Sequence, residues 1–144
     1  MVAALALVAL VNVMSSFTMG AHSFQVYVDS KLISEQYVSR TMTIPQVALD
    51  DKSTDIVIRY NECNRTVSGR IISLKYDQDR ILKQWRFDET TSGFKDPMVL
   101  KVKDIISLKG KTNTMKLFYS SNEFKDGQVV AAITTGKDIK AAVN

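Results

Sequence analysis

From Phe24 almost to the end of the chain, apolar and polar positions alternate with a repeat of two rather than the 3.6 of a helix. Phe24, Val26 and Val28 alternate with Gln25 and Tyr27, Asp29-Ser30 offers a turn, and Lys31 to Val38 resumes extended character. This pattern predicts an opening hairpin. Pro45 and the polar stretch Asp50 to Thr54 break the alternation. Asp55 to Tyr60 restores it, with Ile56, Ile58 and Tyr60 on one face and Val57 and Arg59 on the other. Ile72, Leu74 and Tyr76 then alternate with Ser73 and Lys75. Asp77-Gln78-Asp79 is a compact turn, and Arg80 to Phe87 returns with Ile81, Trp85 and Phe87 sharing a face.

The second half repeats the theme. Thr91-Ser92-Gly93 and Asp96-Pro97 bracket a loop, after which Met98, Leu100 and Val102 alternate with Val99, Lys101 and Lys103. Asp104 to Leu108 is too short for periodicity to separate a helical turn from a continuing strand. Lys109 to Asn113 is a turn, Met115, Leu117 and Tyr119 form a strand face, Ser120 to Gly127 connects, and Val129, Ala131 and Ile133 mark the last strand. About eight short, mostly antiparallel strands with regular turn signals predict an all-β fold: a single β-sandwich, immunoglobulin-like or jelly-roll-like. The domain is expected over residues 22–136, followed by a short tail over 137–144 that holds few large apolar residues.

The start of the chain has a different character. Val2 to Met14 is an almost unbroken apolar run, Ser15 to Ala21 is a small-residue exit, and no charge precedes Asp29. Residues 1–21 are therefore read as an export signal, with cleavage after Gly20 or Ala21. The run is shorter than the about 20 residues a transmembrane helix needs. No Lys or Arg precedes it, which departs from the usual signal pattern, and an uncleaved anchor is the rival reading. The expected location is secreted, periplasmic or at the cell envelope, with no membrane span left once the signal is removed.

Composition narrows the chemistry. The formal net charge of +4 describes a mildly basic surface, which suits solubility and anionic partners alike. Cys63 is the only cysteine, so no disulfide can form within the chain. It sits in the polar segment Tyr60 to Arg65, and a half-buried side chain at a strand end is expected. Asn64-Arg65-Thr66 matches the glycosylation pattern, which has meaning only in a eukaryotic source. His22 is the only histidine and lies beside the cleavage point, where a solvated side chain is expected. A single imidazole rules out multi-histidine zinc arrangements, and its place beside the cleavage point makes it a poor base for a Ser-His-Asp triad. Asp50, Asp51 and Asp55 cluster in one loop and Asp77 and Asp79 in another, but without a full calcium-loop pattern, so they read as turn residues.

No catalytic, cofactor-binding or metal-ligating set is predicted. Lys83, Trp85 and Arg86 mix aromatic and basic character and form the candidate binding surface, although the alternation favours core placement for Trp85. Nucleic acid is a poor partner for an exported chain that lacks an RNA-recognition aromatic motif. The leading expectation is a non-enzymatic exported module that binds a protein or glycan. A structural subunit assembling through strand edges and a small carboxylate-dependent hydrolase are the alternatives.

Overall fold

The computed structural model describes residues 22–63, 65–76, 80–87, 96–108 and 114–135. Among them are nine strands and one short helix: β1 (Ser23–Val28), β2 (Lys31–Tyr37), β3 (Gln46–Leu49), β4 (Asp55–Asn61), β5 (Arg70–Tyr76), β6 (Arg80–Phe87), β7 (Met98–Lys101), α1 (Val102–Ser107), β8 (Met115–Ser120) and β9 (Gln128–Thr135). They form a four-stranded sheet in the order β2-β1-β4-β7 and a five-stranded sheet in the order β3-β9-β8-β5-β6. Phe24, Val26, Ile56, Ile58, Met98 and Leu100 from the first sheet and Ile72, Leu74, Met115, Leu117, Tyr119 and Ile133 from the second are buried in one cluster. The sequence expectation of an all-β chain holds.

Alternation explains most of these elements. Ile56, Ile58 and Tyr60 are buried and Val57 and Arg59 face outward, because successive side chains point to opposite faces. The opening hairpin closes as expected: Asp29 and Ser30 both take positive φ, of 48° and 69°, which a two-residue turn of this hand requires. Asp29 then ties the turn to β4, its Oδ1 accepting from the backbone N–H groups of Thr54 at 2.9 Å and Asp55 at 3.0 Å. Asp50 folds the preceding loop, its Oδ1 accepting from the N–H groups of Lys52 and Ser53, both at 2.9 Å. That is the turn role expected of it.

Four expectations need correction. The count of about eight strands omits β3, a four-residue strand between Pro45 and Asp50 that pairs parallel with β9. Ile81 does not share a face with Trp85 and Phe87. A bulge shifts the β5–β6 register between Leu74 and Lys75, so that Ile72 faces Trp85 and Lys75 faces Ile81, and Ile81 is 50% exposed. A second bulge, opposite Leu117 and Phe118, moves the core face of β9 from Val129 to the buried Val130. Finally, Val102 does not extend β7 but begins α1. Val102 and Ile105 are buried and Ile106 packs beside them, the i, i+3, i+4 spacing of a helix face. The ambiguous Asp104 to Leu108 stretch thus resolves as helix ending in a turn. The signal segment, the Asp77 to Asp79, Thr91 to Gly93 and Lys109 to Asn113 turns, Asn64 and the tail lie outside the described residues.

Candidate functional site

The most unusual chemistry lies where the two sheets meet beyond the end of β4. Glu62 follows that strand and its side chain is fully buried. Tyr119 and Ser121, on and just after β8 in the other sheet, donate their hydroxyls to Glu62 Oε2 at 2.5 and 2.6 Å. The half-exposed Arg65 approaches Oε1 at 3.5 Å. Two hydroxyl donors and a guanidinium satisfy the carboxylate as a buried anion requires. Tyr60 stacks on Tyr119 with ring centroids 3.9 Å apart, adding an aromatic contact across the same junction. Burial, and after it the carboxylate of Glu62, push both phenols well above the ordinary tyrosine range, so both stay neutral.

The loops beside this cluster are cross-linked by polar contacts. Glu123 accepts from the Ser68 backbone N–H at 2.9 Å and from its hydroxyl at 2.8 Å, contacts that lower its pKa. Asn122 N–H donates to the Ser68 carbonyl at 2.9 Å. Gly69, at φ +59°, comes so close to the Asn122 side chain that a Cβ there would sit 2.5 Å from its Oδ1. Cys63, at φ 56°, is half-buried at the end of β4, as its sequence position implies.

His22 departs from the expectation of a solvated side chain. Its ring packs edge-on against Phe124 with centroids 4.5 Å apart, and Nδ1 lies 3.3 Å from the Tyr60 hydroxyl. Its carbonyl accepts from Val38 N–H at 2.8 Å. Burial lowers its pKa below 6.5, outweighing the opposite pull of Glu62, while Arg65 adds to the lowering. An unfolded chain therefore takes up a proton near pH 6.5 while the folded chain resists it, so stability is whole above 6.5 and declines as pH falls below it. The urea midpoint is expected to drop between about pH 7.5 and 5.5, and His22→Phe should remove part of that drop. An unchanged pH slope in the variant would place the effect elsewhere. Asp50 and Glu123, whose pKa values are lowered by hydrogen bonds, give stability that is whole above 3.8 and 4.5 respectively and is lost as pH falls below those values.

The sequence-derived surface of Lys83, Trp85 and Arg86 lies on β6, the outer strand of the five-stranded sheet. Trp85 is half-buried and packs against the core, short of full core placement. Lys83 lies on the same face, its Nζ 5.2 Å from the Trp85 ring and 3.5 Å from Asp104 Oδ2. Arg86 is exposed and, one residue on, projects from the opposite face. The structure thus brings Lys83 and Trp85 together and separates Arg86 from them.

Sequence reasoning missed Glu62, Tyr60, Tyr119 and Ser121 as a set. The available signal was Tyr119, a tyrosine on a buried face whose hydroxyl needs a partner. Chemically, this carboxylate has its acceptors occupied by its own chain, which suits an anchor between sheets. Among the described residues no three His, Cys, Asp or Glu side chains converge to hold a metal ion. Nor is any helix among them long and apolar enough to cross a membrane. No protein-family model matches this chain, and no curated protein does.

Proposed function

We propose that the chain is an exported, non-enzymatic β-sandwich module that binds a protein partner along the outer edge of β6, at the cell envelope or outside the cell. The sandwich reading rests on connectivity. β1, β4 and β7 stand as strands A, B and E of an immunoglobulin-like fold, β5, β8 and β9 as C, F and G, and β6 takes the C′ place beside C. This order favours the immunoglobulin-like over the jelly-roll arrangement. Export rests on the apolar run Val2 to Met14 and the small residues that follow it.

One observation carries the binding reading: candidate contact residues lie on both faces of an eight-residue edge strand. Lys83 and Trp85 occupy one face, and the exposed Ile81 and Arg86 the other. An extended segment added to such an edge gains main-chain hydrogen bonds and touches both faces at once. A flat glycan platform would need the aromatic and basic groups on one face, so a protein segment is the better fit.

Two measurements test this. The intact mass of the exported protein should place its first residue between Ala21 and Ser23, and retention of Val2 to Met14 in a membrane fraction would remove the export reading. A photo-crosslinking residue at Ile81 or Arg86 should give a protein adduct in the exporting cell, whereas one at the exposed Lys116, in the middle of the same sheet, should give none. Absence of adducts at all three, together with binding to an array of anionic glycans, would transfer the reading to a glycan partner.

A further inference from the structure

An antiparallel sheet with one face on a core normally presents polar side chains on the other. The outer face of the four-stranded sheet breaks this rule along one row. Leu32 on β2 lies opposite Tyr27 on β1, Tyr27 opposite Val57 on β4, and Val57 opposite Val99 on β7. Leu32 is 45% exposed and Val99 43%, and Tyr27 and Val57 are half-buried between them. The rows on either side are polar and, on β4, opposite in charge. Asp55 flanks the apolar row on one side, with Lys101 opposite it and its Nζ 2.7 Å from Asp55 Oδ1. Arg59 flanks the row on the other side, opposite Gln25, with Glu35 beyond on β2. Tyr27, Ser30, Val57 and Arg59 line a depression of about 240 Å³ on this face.

We infer that this face is the interface of a homodimer, two copies packing sheet to sheet about a two-fold axis that runs along the Leu32–Tyr27–Val57–Val99 row. Such an axis sets each residue of the row against its own counterpart. It also carries Asp55 of one copy over Arg59 of the other, and the symmetry makes that pair twice. The apolar row supplies the area that leaves water, and the two charge pairs fix the register. The interface is small. Four strands at ~4.8 Å spacing and some six residues at ~3.4 Å give a patch of roughly 400 Å² per copy. That is about half of what a standard stable complex buries on each partner, so the dimer is a weak one. The face is distinct from the β6 edge, and the inference stands apart from the proposed partner there.

Sedimentation equilibrium of the purified full chain, up to about 500 µM, reads the assembly directly. A concentration-dependent dimer is expected. Val57→Lys should abolish it, because the substitution places two cations against each other at the centre of the row. On β4, Arg59→Asp leaves acids at both flanking positions and Asp55→Arg leaves cations at both, so each variant alone should dimerise at least about 30-fold more weakly. An equimolar mixture of these two variants should recover the dimer mass, because each supplies the charge the other lacks. Breaking the exposed Asp55–Lys101 pair costs the fold little, and the recovered mixture shows that both variants are folded. A wild-type chain that stays monomeric throughout the range overturns the inference. So does a Val57→Lys variant that dimerises as the parent does, or a mixture no heavier than its components.

Discussion

Glu62→Ala is expected to cost about 2–6 kcal/mol of folding stability, about 1–3 for each of the two buried hydroxyls that lose their acceptor. The loss has two parts. Tyr119 and Ser121 are left as buried hydroxyl donors without their acceptor, and the link between the end of β4 and the end of β8 is cut. Glu62→Gln keeps one carbonyl oxygen to accept a hydroxyl and should cost less, about 1–3 kcal/mol. Tyr119→Phe removes one donor and keeps the ring stacked on Tyr60, so its cost should fall in the same lower range of about 1–3 kcal/mol. Because Glu62 and Tyr119 share one hydrogen bond, the costs of Glu62→Gln and Tyr119→Phe should not add in the double variant. Urea denaturation of the four variants measures all of this. A Glu62→Ala protein within about 0.5 kcal/mol of the parent would show that the carboxylate is not an anchor.

The contrast between this cluster and the strands shows what local pattern can and cannot reveal. β1, β4 and β8 could be read from the sequence because each buries one face, so the core writes a repeat of two into consecutive residues, whereas β2 holds no buried residue and was legible through the Asp29-Ser30 turn that leads into it. β3 has only four residues after a proline, and its partner β9 lies more than eighty positions away, so no neighbouring residue records the pairing. The bulges in β6 and β9 reverse parity within a strand. Extrapolating the alternation across them placed Ile81 and Val129 on the wrong face. Glu62 was harder still. Asn61-Glu62-Cys63 reads as a polar turn, and its burial depends on groups 57 and 59 positions further along the chain. The His22 environment likewise depends on Phe124 and Tyr60, neither of them a neighbour in sequence.

The bulge in β6 gives the second large expected effect, because it sorts three apolar side chains on one hairpin into three depths. Ile72 on β5 is fully buried, Trp85 opposite it is half-buried, and Ile81 beyond the bulge is half exposed. Ile72→Ala should cost about 2–5 kcal/mol, since it deletes buried carbon atoms and leaves a cavity between Leu74 and its neighbours on β8 that can collapse only in part. Trp85→Ala should cost about 1–3 kcal/mol, below the ~3–5 of a fully enclosed ring, because part of its surface is already in water. Ile81→Ala should stay within about 0.5 kcal/mol of the parent, as surface substitutions do. Had alternation run unbroken through β6, Ile81 would share the face of Trp85 and its truncation would carry a core-sized cost. The order of the three urea midpoints therefore reads the bulge directly. A destabilisation by Ile81→Ala equal to that of Trp85→Ala would put the strand back in uniform register and withdraw Ile81 from the edge surface assigned to partner binding.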